Sequence, residues 1–152
     1  MTSPAKSSFV YVTYIRTSPD RVWDALIDPD FAVQYWLGTR PEAEWKVGGA
    51  WKLVSRDGTI TDTGEVIEFD PPKRLGIRWR NEWKPEFNAE GWSVCTMDVE
   101  PVDEAVKLTI THSIERADST FIGAVSGGWP QILSNLKSLL ETGSVVLSRR
   151  PG

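Results

Sequence analysis

The chain carries one imidazole, His112, and one thiol, Cys95. His112 stands between Ile110 and Ile114 in an alternating run, Ala105 to Glu115, so it shares their apolar face. An imidazole there is either a hydrogen-bonded core group or the polar handle of a cavity, and it is the one weak candidate for a general base. Cys95 shares a face with Met97 and Val99, and a Cys–His pair needs only that the two strands be neighbours. A lone buried thiol, however, ordinarily behaves as a small hydrophobe. No Gly-x-Ser-x-Gly elbow exists to present a serine nucleophile. Glu65 and Glu68 lie three apart, which puts them on opposite faces of a strand unless it bulges; Asp62 is placed to reach a cavity mouth. One His and one Cys cannot build a soft zinc site. Gly48-Gly49 leads into a strand, so no phosphate-cradling turn is implied. No cofactor and no metal are expected.

Eight tryptophans in 152 residues are the other unusual feature, where average usage gives about two. Large amphipathic rings in such excess suit the wall of an apolar cavity or an interface.

The elements that must position these groups follow from pattern. Phe9 to Arg16 is dense in β-branched and aromatic residues and reads as a strand. Ser18-Pro19 opens a short helix with Val22, Trp23, Leu26 and Ile27 at helical spacing, and Pro29 to Leu37 reads as a second. Strands are expected over Glu44 to Val47, Ala50 to Arg56 and, after an Asp57-Gly58 hairpin, Thr59 to Phe69. Lys73 to Arg80 alternates, with Leu75, Ile77 and Trp79 on one face and Arg78 and Arg80 on the other. Asn81 to Gly91 is a polar loop holding Trp83 and Phe87, and strands Ser93 to Glu100 and Ala105 to Glu115 follow. The final helix starts near Trp129, or near Thr120 with Pro130 inside it, and stops at Gly143.

Strand, two short helices, about six strands and one long helix make an α+β chain. A sheet with one apolar face and a single long amphipathic helix hide both by curling the sheet around the helix. The net charge of −4 argues against nucleic acid or an anionic membrane as partner through bulk charge. No run approaches a membrane span and no signal-like apolar segment follows Lys6, so a reducing, cytoplasmic setting is expected.

In this order stand Ser18-Pro-Asp-Arg-Val-Trp23, Tyr35-Trp36, Val47-Gly-Gly-Ala-Trp51 and Gly64-Glu-Val-Ile-Glu-Phe-Asp-Pro-Pro-Lys-Arg-Leu75. Leu108-Thr-Ile-Thr-His112, Gly128-Trp-Pro-Gln-Ile-Leu133 and Leu140-Glu-Thr-Gly143 complete the set. The arrangement resembles the START-like helix-grip (SRPBCC) superfamily. Within it, the chain is similar to single-domain bacterial proteins related to the C-terminal domain of the activator of heat-shock protein ATPase. The resemblance implies a curved antiparallel sheet of about six to seven strands wrapped around a long C-terminal helix, as one domain over residues 9–143 between flexible tails, 1–8 and 144–152. It also implies a cavity between sheet and helix, used in the superfamily for hydrophobic small molecules and in some members for cyclase or hydrolase chemistry.

On this frame the expected ligand-binding wall is Trp36, Trp51, Trp79, Cys95, Met97, Leu108, Ile110, His112 and Trp129. Trp83 and Phe87 are the expected gate, as a lid or as a contact with a second subunit. The expected function is binding of a hydrophobic or aromatic small molecule in that cavity. A protein-interaction, co-chaperone-like module with a chaperone partner is the alternative, and an enzyme using the same cavity is the third.

Overall fold

The structure, a computed structural model, describes residues 5–148. Seven strands, β1 (Ser7–Ile15), β2 (Arg40–Ala43), β3 (Ala50–Val54), β4 (Ile60–Asp70), β5 (Arg74–Asn81), β6 (Ser93–Val102) and β7 (Ala105–Ile114), form one sheet. Its order is β1-β7-β6-β5-β4-β3-β2, and every neighbouring pair is antiparallel. Helices α1 (Pro19–Ile27) and α2 (Pro29–Tyr35) connect the two edge strands, α3 (Pro85–Asn88) follows β5, and α4 (Thr120–Thr142) closes the chain. This is the α+β helix-grip architecture the pattern implied.

Local chemistry explains the helix limits. Ser18 Oγ accepts from Arg21 N at 3.3 Å and Pro19 fills the first turn of α1, where its missing N–H costs nothing. Asp28 serves both short helices: its N–H ends α1 on Asp24 O, and its Oδ1 accepts from Asp30 N at 2.9 Å to start α2. Helix α4 takes the longer of the two expected forms, capped by Ser119 Oγ accepting from Ile122 N, with Pro130 inside and Gly143 left-handed (φ 87°) at its end.

Three expectations need correction. The strand expected at Glu44–Val47 lies earlier, at Arg40–Ala43. Residues Glu44 to Gly49 are instead a loop closed by Glu44 N donating to Ala50 O and Gly49 N to Lys46 O. Pro41 is tolerated in β2 because that strand is at the sheet edge. The 81–91 loop contains the short α3. At the ends, β1 begins at Ser7 and not Phe9, and the start of the expected C-terminal tail is docked. Asn135, fully buried on α4, accepts from Val146 N and Leu147 N at 3.0 and 2.7 Å and donates to Leu147 O and Tyr35 O. The rest of both expected tails, residues 1–4 and 149–152, lies outside the described residues.

Alternation carries Trp51, Leu53, Val66, Ile77, Trp79, Cys95, Met97, Leu108, Ile110 and His112 to one face, where they meet Trp129, Ile132, Leu133 and Leu136 of α4. Gly64 has a specific part in this. It pairs with Trp51 on one side and Trp79 on the other, and a Cβ on it would meet Arg78 O at 1.8 Å. With no side chain between them, the two indoles close over the strand, their ring centroids 4.6 Å apart.

Candidate functional site

Trp79 is the hub of the interior. Its ring lies 5.9 Å from that of Trp129 and 6.4 Å from that of Trp36, and Trp36 in turn lies 5.3 Å from Trp129. Such spacings are those of attractive tilted and edge-to-face pairs. The indole N–H groups of Trp79 and Trp129 are spent on buried partners. Trp79 Nε1 donates to Asp62 Oδ2 at 2.6 Å, and Asn81 Nδ2 reaches the same oxygen at 3.3 Å.

Trp129 Nε1 donates to His112 Nδ1 at 3.2 Å. With Nδ1 accepting, the proton of the neutral imidazole is on Nε2, which faces Ser93 Oγ at 2.9 Å; Ser93 Oγ donates onward to Trp79 O at 2.9 Å. Each polar atom in this chain has a partner, and Ser93 Oγ both accepts from His112 and donates to Trp79 O. Burial lowers the His112 pKa from 6.5 to about 3, so the ring stays neutral and both nitrogens are occupied. His112 is therefore a core fastener, the structural alternative of the two weighed from sequence. As a general base it would have to abandon Trp129. Cys95 pairs with His112 across β6 and β7, but burial pushes its thiol pKa up, and it has no base to activate it.

Open space begins on the other side of this indole layer. A cleft of about 680 Å³ has Trp36, Trp79 and Trp129 as its floor and the first turns of α4, from Phe121 to Gly128, as one wall. Trp83 and Phe87 of the 81–91 loop line it. Behind the layer, the void among Trp51, Leu75, Met97 and Leu133 measures only about 10 Å³, at the limit of what one water requires. Trp51, Cys95, Met97, Leu108, Ile110 and His112, expected on the cavity wall, do not line the cleft. They are the packing beneath its floor, because the interlocked indoles seal them off.

Sequence reasoning missed the polar rim: Thr39, Ser55, Arg56, Asp57, Asn81 and Lys84. The Asp57-Gly58 pair was the available signal, since it placed a hairpin tip there. The tip runs from Ser55 to Thr59, with Asp57 Oδ1 accepting from Ser55 Oγ and Thr59 N. These bonds, Ser55's first, bring the Asp57 pKa down to about 2. Asn81 Oδ1 accepts from Trp83 N and Lys84 N, shaping the start of the 81–91 loop. Glu90 ties the loop's far end to α4, accepting from Ser119 Oγ, Thr120 N and Phe121 N. Burial works to raise the Glu90 pKa, but these bonds together outweigh it and hold the carboxylate below its usual range. A carboxylate suits the positive end of a helix. On the opposite face of the sheet, Trp92 is stacked by Arg78 and Arg80, each 4.4 Å from its ring centroid.

Among the described residues no three His, Cys, Asp or Glu side chains are grouped to hold a metal ion, and no helix is long and apolar enough to cross a membrane. Solved structures share the fold. A Mesorhizobium loti protein is similar with a TM-score of 0.76 at 25% identity, over 88% of this chain and 96% of its own. An HSP90 activator from Plasmodium falciparum gives 0.72 at 23% identity, over 88% and 95% of the two chains. The Aha1 dimer from Colwellia psychrerythraea gives 0.71 at 19%, over 90% and 98%. None of the curated proteins matches the chain. The sequence profile of one family matches residues 16–141, and the chain belongs to that family, described as activator of Hsp90 ATPase homolog 1-like protein.

Proposed function

We propose that the chain binds a hydrophobic or aromatic small molecule between the sheet and the C-terminal helix. The cleft of about 680 Å³ over Trp36, Trp79 and Trp129 carries this reading. Its size falls in the usual range of small-molecule sites, and its floor offers ring faces for stacking while the rim offers a few polar groups to fix orientation. Binding would draw on water release from those faces and on dispersion contacts. The lone thiol suits a reducing, cytoplasmic setting. The floor indoles also report occupancy, so intrinsic fluorescence titrated with sterols, flavonoids, fatty acids and polyketides is the direct test. Gly128 lines the cleft, and a Cβ there meets nothing within 4 Å. Gly128→Phe should therefore project a ring into the space and weaken binding more than tenfold. Silence from every ligand class, or binding indifferent to Gly128→Phe, would remove the reading.

A second reading is a protein-interaction module with a chaperone or a second subunit. It is favoured by the names of two relatives, an HSP90 activator and a dimer, and by Trp83, 59% exposed at the rim. A cyclase- or hydrolase-type enzyme is the third reading. Since His112 is engaged at both nitrogens, such chemistry would fall to Asp62 at the cleft.

A further inference from the structure

The charged groups on the cleft rim differ in how they are satisfied. Asp57 is held by Ser55 and Thr59 within its own hairpin tip, and Asp62 by Trp79 and Asn81. Neither of the rim's cations, Arg56 and Lys84, forms an ion pair among the described residues. Lys84 Nζ instead lies 5.4 Å from the centre of the Phe87 ring.

Arg56 has a seat built for it. Its guanidinium rests against Gly38, close enough that a Cβ there would stand 2.9 Å from Nη2 and 3.0 Å from Nε. Gly38 has φ +92° and follows Leu37 at φ 57°, two left-handed residues in succession on the turn after α2. For a leucine that conformation is uncommon and costs energy, and Leu37 itself lines the cleft. The backbone thus turns where a bare α-carbon lets the Nε–Nη2 edge of the guanidinium approach at the border of an aromatic hollow. A planar fork of N–H donors with no carboxylate to hold is suited to receive anionic oxygens from elsewhere.

We infer that the ligand is an amphipathic organic anion, its ring system on the indole floor and its acidic head group on Arg56. Lys84 adds positive potential from the gate loop, and Gly38 is a positioning residue that keeps the Arg56 seat clear. This rests on the cleft being a ligand site and narrows the chemistry of what enters it.

Two fluorescent probes with the same aromatic body separate the issues: anilinonaphthalene sulfonate, which is anionic, and phenylnaphthylamine, which is neutral. The wild-type chain should bind the sulfonate about tenfold more tightly than the neutral probe, the scale of one charge-assisted hydrogen bond. Arg56→Gln should erase that preference and leave the neutral probe's affinity unchanged, while Arg56→Lys should restore part of it. Gly38→Ala should reproduce the Arg56→Gln selectivity. Equal affinity for both probes in the wild type, or an Arg56→Gln loss that falls on both alike, overturns the inference and leaves the cleft a neutral apolar site. Failure of both probes to bind overturns the inference, while the ligand site itself stands or falls with the wider ligand panel and Gly128→Phe.

Discussion

Trp79 and Trp83 are four residues apart and carry the same side chain to opposite situations: one is 3% exposed, the other 59%. Trp79 touches three other indoles and the His112 ring, gives its N–H to Asp62 and lends its carbonyl to Ser93. Trp83 sits on a loop shaped by Asn81 and contributes one edge of a cleft. Large rings do not by themselves make a cavity. Where rings come from strands flanking a glycine and from a facing helix, as with Trp51, Trp79 and Trp129, they interlock and exclude space. Hollows survive where one wall is built from small residues, as α4 does with Ala124, Val125 and Gly128.

Substituting both tryptophans alike breaks or sustains that contrast most sharply. Trp79→Ala should cost about 3–5 kcal/mol in urea unfolding, the scale of a deleted core aromatic, and should remove the cleft floor as well. Trp83→Ala should stay within about 0.5 kcal/mol, as for an exposed residue, while still altering the rim. Similar losses from the two would show that the 81–91 loop is as much a part of the core as β5 is.

A smaller effect isolates the fastener under the floor. The His112 pKa is about 3 in the folded protein and near 6.5 when the chain unfolds. Between those values the unfolded state binds the extra proton, so stability is fully present above pH 6.5 and falls as the pH drops through that window. From pH 6.5 to 5, before most carboxylates titrate, the wild type should lose about 1.6 kcal/mol of unfolding free energy. His112→Gln, less stable at neutral pH, should lose almost none over the same interval. A wild-type curve that is flat there would mean the ring is reached by solvent and not locked by Trp129 and Ser93.

What could be read from the sequence follows the range of the interactions. Ser18, Asp28 and Gly143 act within a few residues of themselves, so the limits of α1, the start of α2 and the end of α4 were visible in the chain, while the start of α4 stayed open between Thr120 and Trp129. The faces of β5, β6 and β7 were visible too, since alternation is a local pattern. The displacement of β2 was not, because it depends on how Glu44 to Gly49 folds back, with Gly48 N and Val66 N bonding across to Val66 O and Gly49 O. For the site, the aromatic floor and the loop rings Trp83 and Phe87 were legible as types. Its depth was not, because the seal requires Gly64 to sit between Trp51 and Trp79, a matter of strand register. The cationic rim was also hidden: Arg56 finds its seat at Gly38, eighteen positions earlier, on another element.

Asn135 makes the far end of the chain part of the interior architecture. Its amide group spans α4, the end of α2 and residues 146–147, so shortening the polypeptide just after α4 would strand a carboxamide in hydrocarbon surroundings. Protein engineering on this scaffold should accordingly lengthen that terminus, with a spacer before any tag, and never clip it at the helix end.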